Sequence, residues 1–184
     1  MTLRAKRVLV PMARGVEEIE AVAVIDILMR AGCHVVTASV GDTHITGSHG
    51  IRLGADRRLT EVLQESWDLV VIPGGMENVK ILRADPDLRA LLRERAAQHH
   101  DVAAICAGPL VLLDAGLLKD RRITCHAAVE EELGGVRIVQ LPVVEDGSLI
   151  TSRGPGTAVE FALRLVRRLA GPMVEEEVRR QIHA

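Results

Sequence analysis

The stretch DVAAICAGPLVLLDAG, residues 101–116, decides how this chain is read. Val102 to Ile105 form a short apolar run with strand character, and residues 108–117 carry an apolar helical pattern. Between them lie only Cys106 and the small residues Ala107 and Gly108, with Pro109 at the favoured first helical position. A fully apolar strand turning at once into a helix is half of a β-α-β unit in a sheet covered on both faces. Outward from this stretch the same unit recurs. Residues 7–12 (RVLVPM) read as a buried strand followed by a helix over 16–30, and Gly32 leads to a strand at 34–40. Residues 69–72 (LVVI) form a strand running into Pro73-Gly74-Gly75, and a helix starts at Pro86 and runs to about His100. Residues 43–54 read as a hairpin turning at Gly47–Ser48, and 136–151 as two or three short strands with a turn at Asp146–Gly147. Helices over 157–170 and 172–183, parted by Gly171, complete the pattern. The fold class is α/β, a mostly parallel sheet with helices on both faces, read as one domain over 1–184.

Composition narrows the function classes. The chain has 184 residues, 48% of them hydrophobic and 26% charged, with a net charge of −2. Mixed charge of this kind does not point to nucleic acid or an anionic membrane surface. The aromatic residues are Phe161 and Trp67, with no tyrosine, which argues against base-stacking platforms. No apolar run reaches the ~18 residues a membrane span requires. The N-terminal MTLRAKRVLVPMARG has too short an apolar run for a signal peptide. The three cysteines, Cys33, Cys106 and Cys125, have no paired spacing, so a reducing cytoplasm with free thiols is expected.

Sites in such sheets lie beyond the carboxyl ends of the strands, which directs attention to 13–20, 74–78, 106–109 and the turn near His126. Cys106 sits on a strand-to-helix elbow, the geometry that exposes a nucleophile, and the helix N-terminus beside it favours thiolate. A packed core cysteine is the competing reading. Glu17, Glu18 and Glu20 suit the first turn of a helix, where acids complement the dipole. Glu17 and Glu20 share a helical face and Glu18 points elsewhere, so one of these acids is placed to face the thiol and to stay protonated there. His126, at the end of the strand-like RRITCHA, is placed to orient, shuttle protons or bind metal, and a solvated or structurally bonded histidine is the competing reading. Cys106, Cys125 and His126 have no zinc spacing, and no metal is expected. Pro73-Gly74-Gly75 brings backbone N–H groups to a strand end, but no GxGxxG or GxxxxGK[ST] pattern is present.

Four separated strings, GVEEIEAV (15–22), DLVVIPGG (68–75), AAICAGP (103–109) and ITSRGPGTAVEFAL (150–163), closely resemble the ThiJ/PfpI superfamily. Within it they resemble the DJ-one branch, which includes the Parkinsonism-associated protein deglycase and its bacterial relatives. The resemblance spans almost the whole chain. It implies a flavodoxin-like homodimer with Cys106 as nucleophile, Glu20 as the protonated acid beside it and His126 as the nearby histidine. Gly75 and Ala107 match the backbone donors, and Glu17, Arg153 and Pro155 match further pocket residues. Ala107 stands where the protease-named branch carries histidine, which weakens a peptidase reading. Gly47-Ser48-His49-Gly50 stands where close relatives have Cys-Ser-Arg-Gly, and Ala127 where some have proline.

The implied activity is that of a cofactor-independent glyoxalase or deglycase acting on small dicarbonyls such as methylglyoxal, or on their early glycation adducts. The alternative is a redox sensor or chaperone that uses oxidation of Cys106 to sulfinate, without turnover. A glutamine-hydrolysing amidotransferase expects a late His-x-Glu pair, which is absent.

Overall fold

The structure is a computed structural model and describes residues 5–184. Residues 1–4, which begin the segment read as too short for a signal peptide, lie outside the described residues. In chain order the elements are β1 (Arg7–Met12), α1 (Glu18–Arg30), β2 (His34–Ser39), β3 (His44–Thr46), β4 (Arg52–Gly54) and β5 (Arg57–Arg58). There follow β6 (Leu69–Ile72), α2 (Met76–Ala84), α3 (Pro86–Ala97), β7 (Asp101–Ile105), α4 (Pro109–Asp114), β8 (Arg122–Ile123) and β9 (Arg137–Ile138). The last are β10 (Val143–Asp146), β11 (Leu149–Ser152), α5 (Ala158–Ala170) and α6 (Pro172–Ile182).

Seven strands form one sheet in the order β10-β11-β7-β6-β1-β2-β5. Every neighbouring pair is parallel except β10 with β11. Alternation along β1 explains the layers. Leu9 packs with Val79, Leu82, Leu88 and Leu92 of α2 and α3, while Val8, Val10 and Met12 face Ala21, Val24 and Leu28 of α1 and Phe161 of α5. Both faces are therefore buried, which is why these strands read as continuous apolar runs rather than alternating ones. This is the flavodoxin-like α/β architecture. Truncating Phe161 to alanine would cost about 3–5 kcal/mol, since it is fully buried.

The strand order also builds the site. β1, β6 and β7 lie side by side and parallel, so the segments after Met12, Ile72 and Ile105 emerge together at one edge. The chain leaves β1 for β2 on one side and returns to β6 on the other. That reversal opens a crevice where such sheets bind ligands.

Several boundaries differ from the sequence reading. The first helix starts at Glu18 rather than Val16, because Glu17 is extended (φ −75°, ψ 119°) and caps it. A separate helix, α2, fills 76–84, a segment to which the sequence pattern assigns no element; Asp85 ends it and also caps α3 by accepting from the Leu88 N–H at 2.8 Å. The strand at RRITCHA shrinks to Arg122–Ile123 and pairs with β9 outside the main sheet. Among the described residues, no helix is long and apolar enough to cross a membrane.

Candidate active site around Cys106

Cys106 has φ +64°, in the left-handed region that non-glycine residues avoid. Its backbone is held in that state from both sides. Its N–H donates to Ser152 O at 2.9 Å, and its carbonyl accepts from the His126 N–H at 3.0 Å. Strain held by surrounding hydrogen bonds is the mark of an elbow whose side chain must point one way. Around it the backbone comes very close. A Cβ on Gly74 would lie 2.7 Å from Cys106 Cβ and 2.5 Å from Glu20 Oε2. Gly75 has φ +92°, and a Cβ there would collide with the Gly15 carbonyl. Both positions require glycine.

Glu20 lies on α1 and is 0% exposed. Its Oε2 accepts the Gly74 N–H at 2.7 Å, whereas Oε1 has no hydrogen-bond partner among the described residues, and the carboxyl interacts with the Cys106 thiol. The three residues proposed to act together do converge. A Cβ on Gly154 would sit 3.4 Å from His126 Cδ2 and 4.0 Å from both Cys106 Sγ and Glu20 Oε1. His126 is exposed, and its Nδ1 accepts the Ala128 N–H at 3.2 Å, so the neutral ring carries its proton on Nε2.

Burial pushes the Cys106 thiol well up from its ordinary value, and the charge of an ionised Glu20 pushes it further; hydrogen bonds from the Ala107 and Gly75 N–H groups pull it back. The sequence reading expected a depressed thiol from the helix N-terminus. With only six residues α4 contributes little dipole, and burial beside a carboxylate outweighs it. Burial likewise raises Glu20 to about 7, with the Glu17 charge adding to the rise and the Gly74 N–H and the thiol opposing it. Two acids in contact resist double ionisation. The pair therefore gives up one proton near neutrality and holds the second to far higher pH.

The remaining sequence candidates take lesser positions. Glu17 is buried but serves as the cap of α1, its Oε2 accepting the Glu20 N–H at 2.8 Å. Arg153 is half-buried and its charge reaches Cys125, whose thiol burial pushes up to about 11. Pro155 opens a short 3-10 turn over Pro155–Thr157 that leads into α5.

Two features escaped the sequence reading. Glu18 is 4% exposed, and it latches the 47–51 loop. Its oxygens accept from the N–H groups of His49 (2.7 Å) and Ile51 (3.4 Å) and from the Ser48 hydroxyl (3.0 Å), with His49 Nδ1 at 3.0 Å. Glu17, Glu18 and His49 bring ligand atoms within 4.8 Å of one another and would be the group to admit a cation, but these hydrogen bonds already account for their arrangement. The second feature is Asn78, fully buried behind Gly74. Its signal in the sequence was an amide shortly after Gly74-Gly75, unreadable without recognising α2. A groove of about 1090 Å³ lined by Arg14, Met76, Lys80 and Pro86 flanks these loops without including Cys106.

Fold and site together define a flavodoxin-like α/β protein with a cysteine on a strand-to-helix elbow beside a buried acid. The chain belongs to the DJ-1/PfpI family, whose model matches residues 6–168. It is 33% identical to the zebrafish Parkinson disease protein 7 homolog over 182 residues, covering 96% of each. It is 37% identical to the glutathione-independent glyoxalase DJR-1.2 of Caenorhabditis elegans over 158 residues, 85% of this chain and 84% of that one. It is also 40% identical to Arabidopsis thaliana protein DJ-1 homolog A over 167 residues, 90% of this chain. The chain spans less than half the length of that plant relative and of its homolog B, at 43% and 38%. The crystal structure of Drosophila melanogaster DJ-1beta superposes with a TM-score of 0.95 at 34% identity over 98% of both chains. Oxidized Toxoplasma gondii DJ-1 does so at 0.93 and 37% identity, over 97% of this chain and 98% of that one.

Proposed function

We propose that this chain is a cysteine-dependent, cofactor-independent glyoxalase acting on small α-dicarbonyls such as methylglyoxal. The observation that carries the reading is the contact pair: a strained Cys106 facing a fully buried Glu20 that titrates at about 7. In the reactive form the shared proton sits on Glu20 and the sulfur is thiolate. The thiolate adds to the aldehyde carbon, and Glu20 protonates the new alkoxide to give a hemithioacetal. Glu20, now ionised, takes the C1 proton and returns it at C2, while the C1 hydroxyl proton passes to the C2 oxygen. This leaves a thioester of a 2-hydroxy acid. Water attacks the thioester, the sulfur leaves as thiolate, Glu20 regains a proton and the carboxylic acid ionises. Methylglyoxal and water thus become lactate and a proton, with no external oxidant or reductant. Gly75 and Ala107 supply backbone N–H groups at the sulfur, and His126 presents Nε2–H at the mouth. Arg153 and Pro155 border the same pocket in this proposal, with Glu17 behind Glu20. The glyoxalase relative in Caenorhabditis elegans supports the substrate class. The deglycase version starts from early glycation adducts on amines and uses the same thiol addition.

A second reading, a redox sensor or chaperone, draws on the oxidized Toxoplasma gondii relative. A sulfinate at Cys106 would accept from the same N–H groups and from the Glu20 hydroxyl. The proposed setting is a cytoplasmic homodimer, with exposed Ile19, Val22 and Val159 offering an apolar face for a second copy. The deciding experiment is product analysis of methylglyoxal and of glycated amines with purified protein, against Cys106→Ser. Lactate formed by the wild type and lost in the variant supports the enzyme. Sulfinate formation under mild peroxide with no turnover of either substrate would leave only the sensor.

A further inference from the structure

We infer that Asn78 is a positioning residue of the Cys106–Glu20 site, aiming the two backbone N–H groups that the thiol and the carboxyl use. The argument starts from its three hydrogen bonds. The carboxamide Nδ2 donates to Pro73 O and to Gly74 O, both at 3.0 Å, and Oδ1 accepts the Ala13 N–H at 2.7 Å. The side chain is 0% exposed, so these bonds form away from competing water.

The two carbonyls it holds belong to consecutive peptide units. In a trans peptide the C=O and N–H of one unit point in opposite directions, and no cis peptide bond occurs among the described residues. Tying back Pro73 O therefore drives the Gly74 N–H the other way, where it meets Glu20 Oε2 at 2.7 Å. Tying back Gly74 O drives the Gly75 N–H toward the Cys106 sulfur, to which it hydrogen-bonds. The Glu17 N–H also donates to Gly74 O, at 3.1 Å, so this carbonyl is anchored from two sides. Pro73 O is held by Asn78. The tether matters because the loop is Gly74-Gly75. Glycine has little conformational preference of its own, so nothing within these two residues fixes which way their peptide planes face. The third bond, to Ala13, fastens the segment leading from β1 to α1, and hence to Glu20, onto the same side chain.

The inference rests on the site proposed above but not on its substrate, so its readout is Cys106 chemistry. The measurements are the iodoacetamide alkylation rate of Cys106 near pH 7, by peptide mass mapping, and the pH midpoint of thiolate absorbance. They are made on wild type, Asn78→Ala and a neighbouring control, Val79→Ala. Val79 is buried on the same helix, and truncating it loosens packing without touching the loop carbonyls. The expected result is about a tenfold slower alkylation and a raised midpoint in Asn78→Ala, the scale of weakening one hydrogen bond to a charged group. Val79→Ala, although destabilised, stays within about twofold of wild type, below the effect of one such bond. If Asn78→Ala does not fold, Asn78→Ser carries the same comparison with a smaller cavity. Wild-type rates in the Asn78 variant overturn the inference, as does an equal loss in Val79→Ala, which would reduce Asn78 to a packing residue. Slow labelling of Cys106 relative to Cys33 and Cys125 in the wild type is a different outcome; it sinks the reactive site itself.

Discussion

Glu18 and Glu20 are two residues apart on α1 and both are withdrawn from water, yet one titrates at about 2 and the other at about 7. Burial alone pushes both upward. What separates them is the supply of donors. Glu18 is met by two backbone N–H groups, a serine hydroxyl and an imidazole, and together these overcome its burial. Glu20 is met by one N–H and a thiol, and an adjacent acid at Glu17 opposes its ionisation. Charge on Glu18 holds a loop, whereas a proton on Glu20 is available for transfer. The same residue type thus does structural work on one side of a helix and chemical work on the other.

The largest expected effect comes from removing the transferable proton. Glu20→Gln keeps a neutral donor beside the sulfur but cannot relay a proton, so methylglyoxal turnover should fall by roughly 10²-fold or more. Thiolate at Cys106 should form at lower pH than in the wild type, read from absorbance against pH, because the carboxylate that opposes it is gone. Stability should move the other way. A carboxyl raised to about 7 in the folded state from an ordinary 4.5 contributes stability that is full below about 4.5 and is lost as pH rises through 7. Glu20→Gln should therefore match wild type near pH 4.5 and exceed it by about 3 kcal/mol at pH 8.5 in urea melts. Wild-type turnover in this variant would reduce Glu20 to a helix-end charge and end the proposed mechanism.

The contrast also marks how far the sequence could be read. The elbow at Cys106 was legible because its cause is local: an apolar strand, three small residues and a proline-initiated helix are contiguous. The pairing of Cys106 with Glu20 was half legible; helical spacing put Glu17 and Glu20 on one face, but only the sheet order, with β6 between β1 and β7, sets Gly74 against both. The capping role of Glu17 could not be seen, since the helix was read as starting before it. The Glu18 latch depends on a loop some 30 residues away in sequence, and no periodicity reports that contact. Asn78 was hidden for a different reason. MENVKILRA carries Glu, Asn, Lys and Arg among its apolar residues, and only its packing on the sheet and its Gly75 cap make the helix clear.

A smaller effect tests the other half of the pair. Glu18→Gln should leave turnover within a few-fold of wild type while costing about 2 kcal/mol, the scale of removing a charged acceptor from buried donors. The sign of its pH dependence is opposite to that of Glu20. A carboxyl held down at about 2 contributes stability that is present above about 4.5 and lost as pH falls toward 2. The gap between Glu18→Gln and wild type should therefore close on acidification, and hydrogen exchange in residues 47–51 should quicken at neutral pH. A variant that loses turnover as severely as Glu20→Gln would show that the latch shapes the site and that the division drawn between the two acids is wrong.

The smallest effect should come from His49, which is exposed and touches the pair only through Glu18 and, at 3.9 Å, Glu17. Its hydrogen bond to the Glu18 carboxylate raises the imidazole from its ordinary 6.5, and the charges of Glu18 and Glu17 act in the same direction. A histidine raised in the folded state contributes stability that is fully present below 6.5 and is lost as pH rises through its folded value. His49→Ala should accordingly lower Tm slightly at pH 5.5 and leave it unchanged at pH 8.5, with added salt shrinking the low-pH difference because the pair is open to solvent. The backbone N–H of His49 still reaches Glu18 Oε1 in the variant, so the loop should stay latched and exchange in 47–51 should stay slow. That separates the two contributions at one position. Rapid exchange in His49→Ala would mean that the imidazolium, rather than the row of backbone donors, keeps Glu18 ionised, and the donor count that distinguishes Glu18 from Glu20 would no longer explain their difference.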